Sequence, residues 1–114
     1  MTLNDFLIQL SQNPEHIEFS DTMAVIEENY IFTPSSFVNG DTVNEANTNN
    51  GSCKIFAFGL LNTLSAEQTL ACFGAYYRDD VLKNPEGNDH QNIRNFMISA
   101  WDGVSFECDP LALR

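Results

Sequence analysis

Basic residues are scarce in this chain. Five Lys and Arg stand against 16 Asp and Glu in 114 residues, and the formal net charge is −11. Residues 1–52 hold eight acids and no Lys or Arg, whereas residues 53–114 hold eight acids and all five bases. A field of that sign repels nucleic acid and anionic membranes. It favours solubility and, among macromolecules, a basic protein partner. Long apolar runs are also missing. None approaches the ~20 residues that span a bilayer, and no basic stretch followed by an apolar one opens the chain. The expectation is a monomeric, cytoplasmic protein that binds neither nucleic acid nor membrane.

Cysteine and histidine are few. Cys53, Cys72 and Cys108 are odd in number, irregular in spacing and lack a CxxC pair. That argues against both a disulfide framework and a zinc site. His16 and His90 lie far apart, with no HExxH or calcium-loop pattern. No metal and no cofactor is expected.

Apolar residues are plentiful at 43%, and nine of the aromatics are Phe. That composition excludes a largely disordered chain. The length suits one domain with one core. Leu3, Phe6, Leu7 and Leu10 recur at helical spacing behind Thr2, an N-cap with Asp5 three residues on. Asn13-Pro14 stops that helix. Ile17 and Phe19 suggest a short extended piece. Ser20 and Asp21 are N-cap candidates for a second helix carrying Met23, Val25 and Ile26.

The period then changes. Ile31, Phe32, Phe37 and Val38 are strand-type residues, Asn39-Gly40 is a hairpin signal, and Asp41-Thr42-Val43 is the returning strand. The polar stretch 44–52 predicts an exposed loop. Ser52 caps a helix from Cys53 to about Leu64, apolar nearly all round and therefore central and buried. Ser65 and Gln68 form a capping box for a helix continuing through Leu70, Phe73, Tyr77 and Val81. Asp89 caps a last helix with Ile93, Phe96, Met97, Ala100 and Trp101 on one stripe. Val104, Ser105 and Phe106 predict a final strand added to the hairpin. The fold class is α+β. About five helices pack around a buried central helix with a small antiparallel sheet, in a single domain over 1–114.

Three segments are unusual as strings: NYIFTPSSFVNG at 29–40, NNGSCKIFAFGLLNTLSAEQTLACFGAYYRDDVL at 49–82, and NDHQNIRNFMISAWDGVSF at 88–106. In this order they resemble the HopJ type III effector family, over nearly the whole chain. The resemblance implies association with delivery from plant-pathogenic bacteria into host cells, and it implies no particular reaction. Many type III effectors carry a disordered, Ser-rich N-terminal secretion segment. Here a capped helix is predicted from Thr2, so a housekeeping role in the bacterial cytoplasm is an equal expectation.

Two constellations could carry chemistry. Cys53 follows Gly51-Ser52 in the first turn of a predicted helix, where free N–H groups lower a thiol pKa and could serve as an oxyanion hole. His90 would be its base, oriented by Asp89 or Asn92. The plainer reading makes Cys53 a small core residue and Asp89 only a cap. Alternatively, Lys54, Arg78 and Arg94 could converge on an anion. The plainer reading pairs each with an acid. Asn92 and Asn95 have no helical rationale, and bonding to the polar loop or lining a site would supply one. Three functions follow: a non-catalytic binding or interaction domain, the foremost reading; a cysteine-dependent hydrolase or acyl transferase; and a small anion-binding protein.

Overall fold

The computed structural model describes residues 1–114, and its architecture is α+β. Helix α1 (Leu3–Gln12) starts where expected, with the Asp5 N–H donating to Thr2 Oγ1 at 3.0 Å. A 3₁₀ turn, Pro14–His16, leads into α2 (Phe19–Asn29). The cap of α2 lies before Ser20: the Glu18 N–H donates to the Asp21 carboxylate at 3.1 Å. Phe19 is thus the first residue of the helix and not part of an extended piece.

Three short strands follow: β1 (Tyr30–Phe32), β2 (Phe37–Asn39) and β3 (Thr42–Asn44). Strands β2 and β3 form the expected hairpin, with Asn39 opposite Thr42. The two-residue turn is therefore Gly40-Asp41, one position later than the Asn-Gly reading. Gly40 supplies φ +62° at the first turn position, as a type II′ turn requires. Asn39 is left inside β2 and fully buried.

Helix α3 (Asn50–Leu61) is the central helix, and it begins and ends three residues before its predicted bounds. Phe56 and Phe58, about 200° apart around the axis, serve opposite faces. Phe56 packs on Phe37, Phe73, Phe96 and Trp101. Phe58 packs edge-on against Phe6 and Tyr30. Both rings are fully buried, which explains why the helix is apolar all round.

The capping box of α4 (Ala66–Ala71) is present in both directions, Ser65 N–H to Gln68 Oε1 and Gln68 N–H to Ser65 Oγ, each at 3.1 Å. This helix does not run on to Val81. Gly74 breaks it at φ +60°, and a Cβ there would lie 2.6 Å from the Phe19 backbone nitrogen. Close approach of two backbones selects glycine. A π-helical turn, Tyr76–Val81, resumes afterwards. Thr22 Oγ1 donates to the Cys72 carbonyl at 2.8 Å, fixing α2 to this junction.

Helix α5 (Gln91–Ser99) gives way to a 3₁₀ turn at Ala100–Gly103. Strand β4 (Val104–Phe106) then joins β2 antiparallel, making a sheet ordered β3-β2-β4 as expected. A last strand, β5 (Leu111–Leu113), pairs with β1 as a separate ribbon that the sequence reading did not contain. Its three residues carry no alternation strong enough to announce a strand.

Candidate functional site

A cleft of about 560 Å³ lies where the first turns of α3 and α5 meet the junction around Gly74. Residues 48–52 and 90–92 form its polar lining, and Phe19, Phe73, Tyr76 and Ile93 its apolar lining. Thr42 and Asn44 close it from the hairpin.

The two helix starts are held together by one side chain. Asn44, only 2% exposed, donates from Nδ2 to Asn92 Oδ1 at 3.1 Å. Its own Oδ1 accepts from Asn92 Nδ2 at 2.9 Å and from Asn49 Nδ2 at 2.6 Å. Asn49 is the N-cap of α3, and Asn92 is the second residue of α5. Asn39 Nδ2 adds bonds to the Asn92 carbonyl at 2.8 Å and to its Oδ1 at 3.0 Å. Asn95 Nδ2 bonds the Asn39 carbonyl and Thr42 Oγ1, seating α5 on the hairpin. Of the unexplained asparagines of the last helix, Asn92 bonds Asn44, the first residue of the polar stretch, and lines the cleft, whereas Asn95 bonds the hairpin at Asn39 and Thr42 and not the polar stretch.

Neither helix start is closed by a side chain. The N-caps Asn49 and His90 make no capping hydrogen bond, whereas Thr2 and Ser65 cap α1 and α4. The first bonded amides are Cys53, to the Asn49 carbonyl, and Ile93, to the His90 carbonyl. The N–H groups of Asn50, Gly51, Ser52, Gln91 and Asn92 thus have no acceptor in the protein.

His90 stands at the rim. Its backbone is left-handed, φ 50° and ψ 50°, which strains a residue with a side chain by about 1–2 kcal/mol. Its Nε2 lies 3.0 Å from Asp80 Oδ2, and its ring packs on Tyr76 at 5.2 Å between centroids. Asp80, ten residues upstream, is a partner that no sequence spacing announced. Asp89 was expected to cap α5 and orient His90. Instead its carboxylate accepts from Arg94 Nη2 at 2.6 Å, and its Oδ2 lies 3.9 Å from His90 Nε2. That Arg94 bond holds the Asp89 carboxyl below the usual range.

Cys53 is not at the open helix end. It is the fourth residue of α3, its N–H is already bonded, and it is 2% exposed. Its thiol lies 3.7 Å from the Ser35 carbonyl, and burial raises its pKa. No hydrogen bond joins it to His90. The three bases do not converge either. Lys54 sits over the Phe32 ring at 4.9 Å. Arg78 donates to the Ile17 carbonyl at 2.7 Å, with Glu18 at 3.9 Å. Arg94 binds the Asp89 and Asn84 carbonyls at 2.6 and 2.9 Å. The two arginines each fasten a separate piece of backbone, and Lys54 rests on an aromatic ring. No group of three or more His, Cys, Asp or Glu side chains is placed to hold a metal ion, and no helix is long and apolar enough to cross a membrane.

Fold and cleft together define a small α+β protein with one polar, aromatic-walled cleft. The profile of the HopJ type III effector proteins matches residues 3–111, and the chain belongs to that family. A crystal structure of VPA0580, described as a protein of unknown function, is 63% identical, with a TM-score of 0.98 over 100% of this chain and 95% of that one. No functionally curated protein matches the sequence.

Proposed function

We propose that this HopJ family member is a non-catalytic binding domain and that the cleft between α3 and α5 is its recognition site. The observation that carries the reading is the pair of uncapped helix starts, held together by Asn44 and facing one cleft. The first N–H groups of a helix have no intrahelical partner and stay open to a ligand where no side chain caps them. Here they are gathered at one place, beside exposed aromatic surface. Concave sites of this size, with a few fixed polar groups and an apolar wall, are the usual form of small-molecule sites.

The cysteine-hydrolase reading lacks comparable support, since Cys53 is turned into the core and its thiol is held neutral. The anion reading built on Lys54, Arg78 and Arg94 lacks it because Lys54 sits over the Phe32 ring and the two arginines are spent on separate backbone carbonyls.

Amide chemical-shift mapping tests the proposal. Labelled protein is titrated with polar fragments that include phosphates, carboxylates, sugars and nucleosides. The expected shifts centre on Gly51, Ser52, Gln91 and Asn92. A fragment set that leaves these four amides unmoved, or moves only residues elsewhere, would overturn it.

A further inference from the structure

The cleft contains none of the chain's Asp, Glu, Lys or Arg residues, although these make up 18% of the sequence. Recognition there does not run through ion pairs. What is available instead is mixed. Five N–H groups have no acceptor: those of Asn50, Gly51, Ser52, Gln91 and Asn92. The side-chain oxygens of Asn49, Asn50 and Gln91 accept nothing, and the Ser52 hydroxyl is unengaged, so acceptors are interleaved with those donors. A bare anion would meet the donors but be repelled by the carbonyl oxygens. A cation would meet the reverse conflict. A hydroxyl group both donates and accepts, and so matches such a wall at every point.

The aromatic part of the lining supplies the second half of the match. Tyr76 is 44% exposed, and Phe19 meets it edge-to-face at 5.1 Å, which fixes the tyrosine ring. His90 also packs on it, at 5.2 Å between centroids, with Nε2 engaged by Asp80 and its second ring nitrogen unengaged. The negative face of an aromatic ring attracts slightly positive C–H groups. A ring with C–H bonds on one side and hydroxyls around its edge satisfies both walls at once.

We infer that the cleft binds a neutral sugar, stacked on Tyr76 with its hydroxyls on the first turns of α3 and α5. This rests on the cleft being a binding site. A nucleoside would also stack, but its base presents few groups that both donate and accept.

The test is chemical-shift titration of the full chain with methyl glucoside, N-acetylglucosamine, cellobiose and maltose, in parallel with adenosine and inorganic phosphate. At least one sugar is expected to shift the Gly51, Ser52, Gln91 and Asn92 amides with a millimolar Kd. Tyr76→Ala should weaken that binding at least tenfold, and Tyr76→Phe, which keeps the ring, should retain it. A thermal melt establishes that both variants are folded. If adenosine or phosphate moves the four amides and no sugar does, the sugar assignment falls and the binding site stands. If none of the six probes moves them, the sugar assignment falls, and the wider fragment titration then decides the fate of the binding site. Sugar binding unaffected by Tyr76→Ala would also overturn the stacked geometry.

Discussion

Replacing Asn44 with Ala tests the feature on which the cleft depends. The side chain makes three hydrogen bonds, two with Asn92 and one with Asn49. A neutral hydrogen bond contributes about 0.5–1.5 kcal/mol net, and more where its loss strands a buried partner. Asn92 Oδ1 keeps the bond from Asn39, so it is not stranded. Asn92 Nδ2 loses its acceptor and is stranded, because Asn92 is buried. The expected loss is therefore about 2–4 kcal/mol. With an unfolding entropy of about 2.1 cal/mol/K per residue, 114 residues give about 240 cal/mol/K. A loss of 3 kcal/mol then lowers Tm by roughly 12 °C. Urea unfolding should show a lower midpoint with an unchanged slope. A double-mutant cycle with Asn92→Ala should give a coupling of about 1–2 kcal/mol, because the two side chains bond reciprocally. Faster amide exchange at Cys53 and Ile93, the first hydrogen-bonded amides of the two helices, should accompany it, as the helix starts come apart. A stability change below about 0.5 kcal/mol, or strict additivity, would refute the argument that Asn44 holds the helix starts together.

The cysteines and the central helix supply two further tests. Iodoacetamide should modify exposed Cys108 readily, and reach Cys53 and Cys72 only in unfolded protein. Burial pushes the Cys72 thiol up to about 12. Its folded value lies above its unfolded value, so its contribution is complete below about pH 8.5 and declines as pH rises toward the folded value. Urea melts at neutral and alkaline pH should show that decline, and Cys72→Ala should flatten it. An alkaline slope unchanged by this substitution would place the loss at other groups. In α3, a Cβ at Gly59 would lie 2.8 Å from the Trp101 ring and 2.9 Å from Thr69 Oγ1. Overpacking costs about 1–3 kcal/mol, and better helix propensity returns about 1 kcal/mol. Gly59→Ala should therefore lower Tm and shift the fluorescence of Trp101, the one tryptophan. A raised Tm would show that the ring has room to move.

Some features were legible because their causes are local. The start of α1 follows from Thr2 and its apolar repeat, and the capping box of α4 from Ser65 and Gln68. The β2–β3 hairpin follows from a glycine able to take positive φ between two strand-type runs. The burial of α3 follows from apolar residues on every face. The family resemblance also rests on local strings, and the match over residues 3–111 agrees with it.

Other features have distant causes. Gly74 ends α4 because the backbone at Phe19, some 55 positions away, presses against it. The N-cap position of α5 falls to His90, which leaves it open, while Arg94 takes the Asp89 carboxylate and Asp80 meets the imidazole. Cys53 missed the open helix end because α3 starts at Asn50, where Asn49 is drawn to Asn44. Composition and apolar periodicity together determined a folded α+β chain with a net negative charge and a Phe-rich core. Only the tertiary structure decided that Asn44 and Asn92, 48 positions apart, bond reciprocally and set two helix starts on one cleft. Periodicity records which face of an element is buried. It carries no record of which buried polar group meets which, because that pairing is set by packing between elements.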